Sequence, residues 1–328
     1  MYVIPPAVIK SARGRYRQSG ARTDQSDAEV IADEVRTNRG QLQPWRPDSP
    51  LTRHMRAQVS WVRQLTHMVV RGSNQLRAVL LRYYPAGLNV FSDVTTLIGL
   101  AFIQAYPTPQ MAAKLSYADF RAFARQHRYP CPRKLSKNYA RLQQSYAEAT
   151  PETVQVFQGV AVELAQVLEG LVRTKNRGLS ELERMYKRHP DYALFKSLPG
   201  AGRYLGPALL VKFGDDRERF PQASSVQALA GTCPVTDKSG KRKVVKFRYS
   251  CDREFRDIAQ NWALASRSES IWANTYWLNI RPHCDSDSHA YRCLANRWLG
   301  IVWTLWQTHQ EYDESYHMQQ LAQRRKPR

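Results

Sequence analysis

Residues 55–83 read MRAQVSWVRQLTHMVVRGSNQLRAVLLRY. Within them Met55, Val59, Val62, Thr66, Val69, Ser73, Leu76, Leu80 and Tyr83 step by four and three without a break. That is the spacing of a helix seam, with polar interruptions at Thr66 and Ser73. Pro85 and Gly87 end it. A second run has the same grammar. Thr150 stands as N-cap and Pro151 at the first helical position, followed by Val154, Phe157, Ala161, Leu164, Leu168, Leu171, Lys175, Gly178, Leu182 and Met185, and Pro190 closes it. Each helix spans about 50 Å at 1.5 Å per residue. Two such helices predict a mainly α protein. The seams serve an antiparallel arm, a dimer coiled coil, or ordinary packing in a helical domain.

The flanking stretches are shorter and more punctuated. Between the long helices, Thr108-Pro109 and Ser116-x-x-Asp119 are helix-start signals. Beyond Pro190, Leu198-Pro199-Gly200-Ala201-Gly202 separates two apolar runs, which is a helix–turn–helix spacing. Residues 224–230 read as a short helix ended by Gly231, residues 232–249 as strand or loop, and helices resume near Arg253 and Ser288. On the N-terminal side, Tyr2-Val3-Ile4 reads as a strand end closed by Pro5-Pro6, residues 10–22 as a basic stretch, and Thr23 to about Val35 as a capped helix. Gln43 to Pro50, with three prolines, reads as a linker. The basic end, Arg324 to Arg328, reads as a disordered tail.

Charge narrows the function classes. The 328 residues hold 49 Lys+Arg against 28 Asp+Glu, a net +21. Such an excess repels itself in a compact state, and the usual compensating partner is a polyanion, nucleic acid before anionic membrane. The most apolar stretch, Leu88 to Tyr106, carries Asn89, Asp93 and Gln104, so no membrane span is expected. The five cysteines are scattered and contain no Cys-x-x-Cys pair, which argues for a reducing compartment rather than a disulfide scaffold.

Four constellations carry candidate chemistry. The turn at Gly200 and Gly202 is a helix-hairpin-helix-like element whose second helix offers backbone N–H groups to a phosphate, or else a tight connection with no ligand. Lys238, Lys241, Arg242, Lys243, Lys246 and Arg248 surround Ser239 without an acid between 238 and 248. A serine in such a field can approach a phosphodiester, although a basic loop that only binds phosphate is the commoner case. Asp24 and Asp27 sit three apart on one helix face, where two carboxylates can share a Mg²⁺ or simply complement the helix dipole. Cys284, His289 and Cys293, with His283 adjacent, lack the paired spacing of structural zinc sites. The tryptophans at 298–306 fall at helical spacing and read as core.

Three stretches together resemble the IS110 family of insertion-sequence transposases, the DEDD group that includes pilin-gene invertases. Residues 22–36 resemble the family's Lys-Thr-Asp-x-x-Asp-Ala helix. Residues 195–240 resemble its C-terminal domain through Leu-Pro-Gly-x-Gly, Phe220-Pro221, Leu229-Ala230-Gly231 with Pro234, and Ser239-Gly240. Residues 289–306 resemble its closing helix.

The resemblance implies a layout. Residues 1–45 would be a remnant of an RNase H-like α/β (DEDD) domain, 46–190 a helical coiled-coil region, 191–320 the transposase domain, and 321–328 a basic tail. It implies a DNA transposase or site-specific recombinase. Asp24 and Asp27 match two of four Mg²⁺-binding acids, and Ser239 matches the nucleophile of a phosphoserine intermediate. The implied partners are double-stranded DNA, a structured guide RNA in some members, and further copies of the chain in a dimer or tetramer built through the helical arm. The implied place is the bacterial cytoplasm at the nucleoid. The family's first Asp and its Glu lie upstream of Met1, so the resemblance also implies either a truncated or decaying copy, inactive as written and with a weakened metal site, or a gene model with a late start. The alternative expectation is a non-enzymatic, basic nucleic-acid-binding protein.

Overall fold

The computed structural model describes residues 2–4, 6–16, 23–40, 42, 44–144, 146, 149–240 and 242–324. Pro5, residues 17–22 of the basic stretch, Gln43, Lys241 and the last four residues, on which expectations fall, lie outside the described residues. The described chain is mainly helical, with a single two-stranded sheet. It divides into two compact units, residues 57–185 and residues 1–56 with 186–328.

In the first of these, two long helices run antiparallel, α3 (Pro50–Tyr83) and α9 (Pro151–Tyr186), both with their seams inward. Gly178 faces Val62 and Gly72 faces Leu168 so closely that neither position has room for a Cβ unless that side chain moves: an added one would stand 3.1 Å and 2.8 Å away. Arg82 lies over the Phe157 ring at 5.0 Å. The register therefore holds from one end to the other. Of the expected seam, Thr66 is exposed and Leu65 is buried in its place. Thr150 accepts from the Thr153 N–H, as an N-cap should.

Between them lie α4 (Pro85–Asn89), α5 (Leu97–Ala105), α6 (Pro109–Ala113), α7 (Tyr117–Gln126) and α8 (Leu135–Leu142). Thr108 and Ser116 cap α6 and α7. Phe91 from the α4–α5 loop and Phe102, Phe120 and Phe123 from the short helices share one core with Leu76, Leu80, Ala161 and Leu168 of the long pair. That half of the helix pair is packed as an ordinary domain core.

The second unit joins the two ends of the chain. Thr23 caps α2 (Asp24–Asn38) in a reciprocal box with Ser26. Ahead of it stands α1 (Pro6–Tyr16), a helix that the basic composition of 10–22 did not announce. Ile9, Ala12 and Val30 form the small core of this pair. Among the described residues of 1–45 there is no strand, and Tyr2 makes an isolated bridge to Pro44. The RNase H-like sheet is thus not present in these residues.

Of the Gln43–Pro50 stretch read as a linker, Pro50 already opens α3, and residues 44–49, outside any helix or strand, are pinned. Asp48 is buried and forms ion pairs with Arg56 and, at 2.9 Å, with Arg219, and it accepts the Asp215 N–H. Thr52 donates to Asp215 at 2.7 Å and lies 3.0 Å from His189. Burial pushes the Asp48 and Asp215 carboxyls up, but the guanidiniums of Arg56 and Arg219 on the first, and the N–H and hydroxyl donors of Ser49 and Thr52 with His189 on the second, hold both below the usual range. The N-terminal segment is therefore bound to the C-terminal body by a buried charge network rather than left as a tether.

The C-terminal body contains α10 (Tyr192–Ser197), α11 (Gly202–Phe213), α12 (Ala223–Leu229), the hairpin β1 (Val235–Ser239) and β2 (Arg242–Lys246), then α13 (Arg253–Ser266), α14 (Ile271–Ile280), α15 (Asp287–Thr308) and α16 (Glu314–Arg324). Its core is aromatic. Trp262 and Trp298 meet at 5.0 Å and Phe213 and Trp306 at 5.4 Å, all fully buried. Of the α15 tryptophans whose spacing suggested core, Trp298 and Trp306 are fully buried, while Trp303 is half-buried and donates to the Phe220 carbonyl. No helix of the described residues is long and apolar enough to cross a membrane.

Candidate nucleic-acid interface

The hairpin stands apart from that core. Its strands are exposed on both sides, which leaves its side chains available and its pairing held mostly by the backbone ladder. The register sets Lys238 opposite Lys243 and Ser239 opposite Arg242. Alternation along a strand puts Ser239, Arg242, Lys246 and Asp237 on one face, and Lys238 with Lys243 on the other. Gly240 begins the turn at φ 55°, the left-handed conformation a two-residue hairpin loop requires. Lys246 is partly neutralised by Asp237 at 3.0 Å.

Arg248 has a different position from the other cations. Its guanidinium donates to the Cys233 carbonyl at 3.2 Å, and its own carbonyl accepts from Arg256. It ties the two ends of the hairpin together. Phe247 lies between Arg256 at 4.5 Å and Arg292 at 4.7 Å, and Tyr249 packs on it while remaining 77% exposed. The hairpin root is thus a cation–aromatic stack, a feature the sequence reading did not foresee.

The Leu198–Gly202 turn does link two helices, but its amide is taken. Gly200 N–H donates to Glu269 at 2.7 Å, and the Pro199 carbonyl accepts from Trp262 at 2.8 Å. A Cβ at Gly200 would stand 2.6 Å from the backbone of Ala265 and Ser266. The turn is therefore pressed against the end of α13 with an internal carboxylate where a phosphate was expected. Gly202, at φ 52°, opens α11 on the exposed side with nothing within 4 Å of its added Cβ.

Asp24 and Asp27 occupy the first turn of α2. Asp24 is exposed. Asp27 forms an ion pair with Arg13 of α1, and its other oxygen is buried with no hydrogen-bond partner among the described residues. A guanidinium already neutralises the carboxylate that Mg²⁺ would need. With one of its two carboxylates engaged, the Asp24–Asp27 pair by itself falls short of a Mg²⁺ shell. Among the described residues no hydrogen bond or ion pair links Asp24 or Asp27 to Ser239.

The pattern set aside for its spacing is the one the structure draws together. The candidate ligand atoms of Cys284, His289 and Cys293 all lie within 4.8 Å of one another. Linear spacing failed here because Cys284 sits on the loop before α15 and returns to its first two turns.

Two family models match the chain. Residues 1–85 match a DEDD transposase model of IS110 described as a transposase, and residues 192–278 match the model described as transposase of the IS116/IS110/IS902 family. The mini-circle putative transposase for IS117 of Streptomyces coelicolor is 30% identical over 328 residues, covering 96% of this chain and 77% of that protein. The uncharacterized 42 kDa protein of insertion element IS900 from Mycobacterium paratuberculosis is 25% identical, covering 94% of this chain and 77% of its own length. The uncharacterized 43.6 kDa protein of IS110, also from Streptomyces coelicolor, is 27% identical over 67% of this chain and 54% of its own.

Proposed function

This chain belongs to the IS116/IS110/IS902 family of insertion-element transposases, and we propose that its β1–β2 hairpin is the part that meets DNA and that Ser239 is its nucleophile. The observation that carries the reading is the placement of Ser239: exposed, at the end of β1, beside a glycine turn and opposite Arg242 in an acid-free basic run. In the proposed step the Ser239 Oγ forms a bond to a backbone phosphorus and one P–O ester bond to the sugar breaks. The serine proton ends on the released sugar hydroxyl. Attack by the hydroxyl of another strand reverses the exchange and frees Ser239. The phosphodiester count is unchanged, so the exchange needs no external energy source. Arg242, on the same face of the hairpin as Ser239, offsets the extra negative charge of the pentavalent transition state.

Mg²⁺ is the divalent ion expected for a DEDD transposase, with Asp24 and Asp27 as its donors in this chain. Arg13 would have to release Asp27 before this pair could hold the ion. A structured RNA would meet the same cationic faces as DNA, because both present phosphates. Gly202 at the open start of α11 offers a further phosphate contact. The exposed outer faces of α3 and α9 are the surface through which a dimer or tetramer would form.

The test is trapping. Wild-type protein incubated with DNA carrying its element ends should give a denaturation-resistant protein–DNA adduct, and Ser239→Ala should give none while its noncovalent binding stays within about twofold. Equal adduct from the variant removes Ser239 from the role. The second reading, a nucleic-acid-binding protein without chemistry, is favoured by the Arg13–Asp27 pair, and it expects no adduct from either protein.

A further inference from the structure

The cluster at the α14–α15 joint is built like a metal site. His289 and Cys293 are four apart on α15, so their side chains neighbour each other on one face. Cys284 comes from the preceding loop, and that loop is fixed at several points. Ser286 caps α15 by accepting the His289 N–H at 3.2 Å, Arg281 donates to the Cys284 carbonyl at 3.0 Å, and Arg281 also pairs with Asp287. Asp285 stands 3.6 Å from Nδ1 of His289.

We propose that Cys284, His289 and Cys293 bind a thiophilic divalent cation, Zn²⁺ by preference, with Asp285 or water in the fourth position. Two thiolates and one imidazole are a zinc donor set, and a tetrahedral zinc with Zn–S bonds of about 2.3 Å places its sulfurs about 3.8 Å apart. Ligand atoms already within 4.8 Å of one another reach that arrangement by small side-chain adjustments. All three residues are half-buried, so an ion can enter from solvent without the fold opening. Binding would exchange two thiol protons for the metal, with the protons going to solvent.

The consequence lies in what the joint supports. Arg292, adjacent to Cys293, stacks on Phe247 at the root of the basic hairpin. A metal fixing α15 to its incoming loop would stiffen the platform from which the hairpin projects. The site is argued from its own geometry and stands or falls independently of the role of Ser239.

The experiment uses the reduced full-length chain. It is loaded with one equivalent of Zn²⁺, desalted, and its metal content measured. About one zinc per chain is expected, falling at least about tenfold in C284S/C293S and staying near one in C131S/C233S. Loading wild type with Co²⁺ should give the intense visible and thiolate charge-transfer bands of tetrahedral sulfur ligation. That readout does not depend on the variants folding. No retained zinc in wild type, equal retention in C284S/C293S, or octahedral Co²⁺ without thiolate bands would each overturn the proposal. So would a Cys284–Cys293 disulfide that, once reduced, takes up no metal.

Discussion

Lys238 and Lys243 face each other across the β1–β2 hairpin, two ammonium groups in directly opposed positions of an exposed antiparallel pair. Like charges so placed cost the hairpin stability, by up to about 1 kcal/mol. A fold that keeps them without a neighbouring acid on that face presents them to an external anion.

This gives the first prediction. Lys238→Ala with Lys243→Ala should leave the melting temperature unchanged or slightly raised. The same pair should weaken DNA binding and reduce the slope of log K against log salt by about 2, since each lost phosphate contact removes about 0.9. Fluorescence anisotropy titrations from low to moderate salt measure both. An unchanged slope would place the phosphate contacts elsewhere.

The glycine turn gives a contrast between two neighbours. Gly200→Ala puts a Cβ 2.6 Å from the α13 backbone in a left-handed conformation, whereas Gly202→Ala meets open space. The second should cost about 1 kcal/mol, the left-handed penalty alone. The first should cost clearly more, because the α11 turn must move off α13 and the Gly200–Glu269 bond is strained. Paired thermal melts decide it, and equal losses would mean that the turn does not press on α13.

Acid should unfold the unit that contains Asp48, Asp215 and Asp252. All three carboxyls are held below their ordinary values; for Asp252 burial pushes upward and Lys212 with the Phe255 N–H outweighs it. A depressed folded-state pKa gives stability that is complete above the unfolded value of about 4. That stability is lost as pH falls through the folded values. Stability should therefore be flat near neutrality and drop below about pH 4. Asp48→Asn should lower stability at pH 7 by about 3 kcal/mol, since Arg56 and Arg219 lose a buried partner, and should flatten the acid limb. Denaturant melts across pH 2.5–7 measure it.

Divalent binding at α2 should be weak. With Arg13 on Asp27 and Asp24 exposed, Mn²⁺ used as a Mg²⁺ probe should bind this pair no tighter than about 1 mM. Arg13→Ala should strengthen it by freeing the carboxylate, and Asp27→Asn should abolish it. Electron paramagnetic resonance of free Mn²⁺ reads all three. Tight binding that survives Asp27→Asn would assign the ion to other ligands.

Much of the helical framework was legible because it depends on local rules. The seams of α3 and α9, the caps at Thr23, Thr108, Ser116 and Thr150, and the core placement of Trp298 and Trp306 follow from spacing and first-turn hydrogen bonding. Those act within a few residues of chain. α1 and α14 were not read. Their sequences carry little of the apolar periodicity that marks a helix face.

The candidate sites were less legible, because what a side chain touches is decided far along the chain. The basic run around Ser239 is visible in the sequence as charge; that Lys238 opposes Lys243, and that Arg248 instead bonds the Cys233 carbonyl, needed the hairpin register. Asp24 and Asp27 are visible as a pair, but Arg13 on Asp27 comes from a different helix. The amino-acid sequence by itself determined the long helices, their caps, the cationic surplus and its concentration between 238 and 248, since these are properties of residue type and near-neighbour spacing. Only the tertiary structure decided that Glu269 occupies the Gly200 amide, that Asp48 joins the chain's beginning to Arg219, and that Cys284 returns to His289 and Cys293. Each of those depends on which distant segments pack together, and packing is set by the summed burial of whole helices rather than by any motif.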